Sequence, residues 1–114
     1  MENCLFCRIA AGEIPSTKVY EDEHVLAFRD IAPQAPVHVL VIPKKHVSGW
    51  YDAKDEDDAT LARLMRAAAF VAQKENLVGS GFRVVSNCGA DAQQSVPHLH
   101  LHVLGGREMA GQMA

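Results

Sequence analysis

Residues 98–106 read HLHLHVLGG, so three of the chain's six histidines stand at alternate positions in one short apolar stretch. Imidazole changes charge near neutral pH, and its neutral form offers one donor and one lone pair. It can therefore ligate a metal, donate to a phosphate or attack an electrophile. In an extended strand, His98, His100 and His102 share one face, and Leu99, Leu101 and Val103 share the other. Successive imidazoles are then rooted about 6.5–7 Å apart, close enough for three rings to reach one ion or one oxyanion. Three readings compete. A solvated strand face explains least, because threonine or lysine would serve it equally well. A zinc hydrolase would use neutral imidazoles to hold the ion and activate water. Phosphoryl or nucleotidyl transfer would use histidine itself as the nucleophile.

The surrounding sequence must supply the elements that hold these rings. Asn3 is a plausible N-cap for a short helix over residues 4–11, with Gly12 as its stop and Pro15 beyond. TKVYED (17–22) and HVLAFRD (24–30) read as two strands about a turn near Glu23. APQAP breaks the chain before VHVLVIP (37–43), whose two largely apolar faces suit a strand covered on both sides. The acids of DAKDEDD lead into a long helix, roughly residues 57–75, with Leu61, Leu64, Met65, Ala68, Val71 and Ala72 at three- and four-residue spacing and Gly79 as a natural end. GFRVVSN (81–87) and HLHLHVL (98–104) complete the strands. Strands and helices in this order suggest an α+β fold on an antiparallel sheet.

The 114 residues suit one domain, 1–114, with a short tail at about 107–114. A formal charge of -3 argues against a nucleic-acid partner, which would select a basic face. No apolar run approaches the length of a membrane span, and the first residues lack the pattern of a signal peptide. Three cysteines, an odd number, make no disulfide framework, so a cytoplasmic, reducing setting is expected.

HLHLHVLGG resembles the His-x-His-x-His motif of the histidine triad (HIT) family. FCRIAAGEIPSTKVYEDEHVLAFRDIAPQAPVHVLVIPKKH is similar to the N-terminal half of that family's Hint branch, the nucleoside phosphoramidases, and the likeness runs over about residues 4–108. The resemblance implies a HIT-like fold: a five-stranded antiparallel sheet with one long and one short helix, joined into ten strands across a homodimer. It also implies hydrolysis of purine nucleoside 5′-phosphoramidates of the AMP-lysine type, through a nucleotidyl-histidine intermediate and with no cofactor needed for the chemistry. His100 matches the nucleophile. His102 would stabilise phosphate charge, His98 would support the site from the other flank, and His38 would hold one nitrogen of the nucleophile. Asn87, Gln94 and Ser95 match polar phosphate-side residues, and Asp30 matches the acid that binds the ribose. Phe6, Ile9, Phe28 and Ile31 match the apolar slot for the base, although plain core packing explains each equally well.

The likeness has gaps. Ala92 and Gln93 stand where relatives commonly carry two glycines, and Pro97 replaces a frequent aromatic. Cys4 and Cys7 have a metal-compatible spacing that is weak by itself. Some prokaryotic Hint-like proteins with this pair bind structural zinc through it and two histidines, which would here be His46 and His98. The alternative is two reduced cysteines on a buried helix face, and Cys88 reads as a small packed residue. Two other functions stay open: a dinucleoside polyphosphate hydrolase and a non-catalytic purine-nucleotide-binding module. The spacing of Gln94 and Ser95 to His98 follows the Hint pattern rather than the polyphosphate branch.

Overall fold

The structure is a computed structural model describing residues 3–113; Met1, Glu2 and Ala114, the ends of the span assigned to the domain and its tail, lie outside the described residues. Helix α1 (Leu5–Ala10) is followed by strands β1 (Lys18–Glu21), β2 (Val25–Arg29) and β3 (Val37–Pro43). Two 3-10 turns lead into helix α2 (Asp58–Lys74), and β4 (Phe82–Val85) and β5 (Leu101–Gly105) close the chain. All five strands pair antiparallel in the order β1-β2-β3-β5-β4, as the α+β reading expects.

The central position of β3 follows from its sequence. Val39 and Val41 point into the core under α2 with Leu64, Ala68 and Val71, while Leu40 and Ile42 point to the opposite face with Phe6 and Ile9 of α1. Each helix thus covers one face of the sheet, and β3 is buried on both. Leu99, Leu101 and Val103 join the α2 side, which anchors the histidine segment. Gly105 allows a close approach there: a Cβ on it would lie 2.7 Å from the Leu77 side chain.

Three element ends and one core position differ from the sequence reading. Cys4, not Asn3, caps α1, its Sγ accepting from the Cys7 N–H at 3.3 Å. The long helix ends at Lys74 with Glu75 as its C-cap, and Asn76 just beyond takes a left-handed φ of 61°, so Gly79 is not needed as its end. Met65 is turned outward, and Ala67 takes its place in the core. The last strand begins at Leu101 rather than at residue 98, because the His98 and Leu99 N–H groups go to the carbonyls of Val96 and Val47 instead of to a sheet ladder. The in-and-out alternation nevertheless continues back to His98. Among the described residues, no helix is long and apolar enough to cross a membrane.

Candidate active site and metal centre

A cleft of about 230 Å³ opens between α1, the ends of β2 and β3, and the segment leading into β5. Phe6, Ile9, Phe28, Ile31 and Leu40 form its apolar walls, and Asp30, Ser95, His100 and His102 form its polar end. Phe6 meets the His100 ring edge-on, with centroids 5.0 Å apart and planes at 85°. Apolar walls that end in a few polar and ionisable groups are the usual build of a small-molecule site.

The hydrogen-bond network assigns a tautomer to each ring. His100 Nδ1 lies 2.7 Å from the His98 carbonyl, which can only accept, so Nδ1 carries the proton and Nε2 carries the lone pair. The Gln34 N–H donates to His38 Nδ1 at 3.1 Å, which leaves the His38 proton on Nε2. That Nε2–H faces His102 Nδ1 at 2.8 Å, with Asp30 Oδ2 at 3.5 Å. His102 Nδ1 is therefore the acceptor, and its Nε2–H is left as a donor. Burial holds His102 down at about 4, helped by the neighbouring His100 and His38 and opposed by Asp30. Burial also lowers His38, again against Asp30. One ring with a free lone pair thus stands beside one neutral ring with a free N–H.

A second group lies on the far side of His98. Cys4, Cys7, His46 and His98 bring four ligand atoms within 4.8 Å of one another. His98 Nδ1 is 3.2 Å from Cys4 Sγ, 3.5 Å from Cys7 Sγ and 3.2 Å from His46 Nδ1, and His46 Nδ1 is 3.2 Å from Cys7 Sγ. Tetrahedral zinc needs edges of about 3.3–3.8 Å for such ligands, so this shell is within a few tenths of an ångström of that size. His98 Nε2 donates to the Pro43 carbonyl at 2.9 Å, which turns its Nδ1 lone pair toward the thiols. Burial drives His98 down to about 4, partly offset by that carbonyl bond, so the ring is neutral as a ligand must be. Donor types, spacing and tautomer all fit a closed Cys2His2 metal site.

Comparison with known proteins agrees with this geometry. A family model for the HIT domain matches residues 11–109. The chain belongs to the HIT family. A HIT family hydrolase from Legionella pneumophila has a crystal structure that superposes with a TM-score of 0.92 at 52% identity, covering 96% of this chain and 97% of that one. A 14 kDa zinc-binding protein of Brassica juncea is 50% identical over 107 residues, covering 92% of this chain and 94% of its own length. Adenylylsulfatase HINT1 of Arabidopsis thaliana is 49% identical over 107 residues, covering 92% of this chain and 72% of its own.

Four of the expected site residues keep their side chains out of the cleft. His98 does not line the cleft; its ring is fully buried among the cysteines, and only its backbone carbonyl reaches His100. His38 holds His102 rather than the His100 ring, because β3–β5 register sets His102 opposite Leu40, one step along the face from His38. Gln94 is a loop tie: its Oε1 accepts from the Gly89 N–H at 2.9 Å, and its Nε2 donates to the Ser48 and Val96 carbonyls. Asn87 does not line the cleft. The sequence reading missed three backbone groups that set the tautomers: the Gln34 N–H and the His98 and Pro43 carbonyls. No side-chain pattern marks such groups. Leu40 was findable, since it alternates with His38 on the same face of β3.

Proposed function

We propose that the protein hydrolyses purine nucleoside 5′-phosphoramidates to nucleoside monophosphate and amine, by way of a nucleotidyl group carried on His100. The observation that carries this reading is the 2.7 Å bond from His100 Nδ1 to the His98 carbonyl, at the polar end of an apolar cleft. That bond leaves Nε2 as the nucleophile and stabilises the cationic ring once Nε2 bears phosphorus. In the first step Nε2 attacks the α-phosphorus and the P–N bond breaks. The departing amine takes a proton relayed through the Ser95 hydroxyl at the cleft wall, which is reprotonated from water. The His102 Nε2–H donates to a phosphate oxygen, supported by His38. In the second step water attacks phosphorus, the electron pair of the P–N(His100) bond returns to Nε2, and the proton that the water gives up passes to solvent. Asp30 accepts from the ribose hydroxyls, and the Phe6, Ile9, Phe28 and Ile31 walls hold the base.

In this reading zinc stands outside the cleft, held by Cys4, Cys7, His46 and His98, and the reaction takes no cofactor. A bound ion would tie α1 to the histidine segment and contribute to folding. The active form is a cytoplasmic homodimer, a single domain in each copy with a tail from about residue 107. Edge strand β4, with Phe82 and Val84 partly exposed, would join its twin into a ten-stranded sheet. Neither nucleic acid nor membrane is a partner.

The name of the Arabidopsis relative favours a second leaving group, sulfate, on the same nucleophile. A hydrolysis panel separates the readings: AMP-lysine, adenylylsulfate and diadenosine polyphosphates, each with and without chelator. The account expects AMP-lysine to turn over fastest. Preference for a diadenosine compound would move the protein to the polyphosphate branch, and binding without turnover would make it a nucleotide-binding module.

A further inference from the structure

The two histidine groups share a residue. We propose that His98 is a positioning residue that couples metal loading of the Cys4–Cys7–His46–His98 cluster to the orientation of the His100 ring and to nucleotide affinity. The inference rests on the cleft being a nucleotide site and on the fit of the cluster to a metal, and it adds a thermodynamic link between them.

Three physical connections run between the groups. The first is within one residue: the His98 ring closes the cluster while its carbonyl takes the His100 Nδ1 proton. The second is aromatic. Phe6 lies between the two cysteines in sequence, and its ring meets His98 at 5.9 Å and His100 at 5.0 Å, edge-on to both. Phe6 is also a wall of the cleft, so the cysteines carry part of the base slot with them. The third is backbone. His46 is followed by Val47, whose carbonyl accepts from the Leu99 N–H at 2.6 Å, between the two histidines in question.

A metal drawing the four ligands together immobilises α1, the 46–47 segment and the 98–100 segment as one unit. Without it, the His98 ring keeps the Pro43 carbonyl and weak thiol contacts, and the cysteines are held by those contacts, by packing and by the helix cap. The carbonyl that selects the His100 tautomer then moves with a looser segment, and so does Phe6. Binding that is cheaper on an already ordered site is positive coupling, and coupling is reciprocal: zinc tightens nucleotide binding by the same factor by which nucleotide tightens zinc.

The test uses zinc-loaded and chelator-stripped protein, with AMP and zinc ion as the probes. Calorimetric titration should give AMP an affinity at least about fivefold higher in the loaded protein, and zinc an equal gain in the presence of AMP. Long-range ¹H–¹⁵N NMR should show His100 as the single Nδ1–H tautomer when loaded and as a mixture of tautomers when stripped. An AMP affinity equal within twofold in the two forms, with an unchanged His100 spectrum, would overturn the coupling. His46→Ala, which leaves His98 and its Pro43 bond in place, should behave as stripped protein even with zinc present. A folded His46→Ala protein that binds AMP as tightly as the loaded parent would also overturn it. If that variant does not fold, the stripped parent decides. If loaded protein binds no AMP at all, the nucleotide reading fails, while the His100 spectra still decide the link between cluster and ring.

Discussion

At His98 a backbone carbonyl takes the ring proton, and the lone pair turns toward two thiols; at His38 a backbone N–H takes the lone pair, and the other nitrogen keeps its proton. The two rings are both buried and both neutral, yet they are suited to different chemistry. His98 can ligate an ion. His38 cannot do so through Nε2 without giving up its proton, although Asp30, His38 and His102 also bring their ligand atoms within 4.8 Å. Proximity of ligand types is therefore a poor guide by itself. The partner on the far ring nitrogen decides whether a histidine cluster serves a metal or passes a hydrogen bond onward.

Substitutions on either side of this divide should separate turnover from stability. His38→Ala leaves His102 Nδ1 without its donor, so the His102 Nε2–H is no longer fixed toward the cleft. Steady-state kinetics should show kcat down by about tenfold or more, with zinc content unchanged. His46→Ala should show the converse: zinc near zero by metal analysis, a Tm lower by about 10 °C, and a loss in kcat of only a few-fold. Equal losses of turnover in the two variants, or zinc lost from His38→Ala, would break the comparison.

Acid should reveal the buried neutral rings. The folded His102 value of about 4 lies below the ordinary 6.5, so the unfolded chain binds that proton first. Its contribution to stability is full above 6.5 and is lost as pH falls from 6.5 toward 4. Urea midpoints of chelator-stripped protein, which removes metal release from the measurement, should decline across that window. A flat profile would contradict the assignment of a half-buried neutral ring at His102.

The smallest effect is at the loop. Gln93 takes a φ of 60°, a conformation that favours glycine, at one of the two positions where the resemblance leads glycine to be expected. Gln93→Gly should leave the folded protein more stable by about 0.5–1 kcal/mol in denaturant titrations, with kcat little changed. A side chain at position 93 thus costs strain, while the Gln94 ties keep the loop in place.

Much of this was legible from residue types. The two-sided apolar pattern of VHVLVIP marked β3 to the residue, and the alternation of HLHLHVL gave the faces correctly even where the sheet ladder had not yet begun. Cys4, Cys7, His46 and His98 were grouped by resemblance, and they lie together. The failures share a cause. Asn3 lost the helix cap to a cysteine thiol, and His38 was joined to the wrong ring. Each depended on register or on a backbone partner, and neither is written in side-chain chemistry.

The central claim is that His100 Nε2 bonds to phosphorus during turnover. Mass spectrometry of a reaction quenched in base, where phosphohistidine persists, measures this directly. The account predicts a nucleotidyl mass on the peptide carrying His100, localised to that residue by fragmentation and absent from His100→Ala, which should show no turnover. An adduct localised to His102, or a His100→Ala protein that still hydrolyses the phosphoramidate, would contradict it.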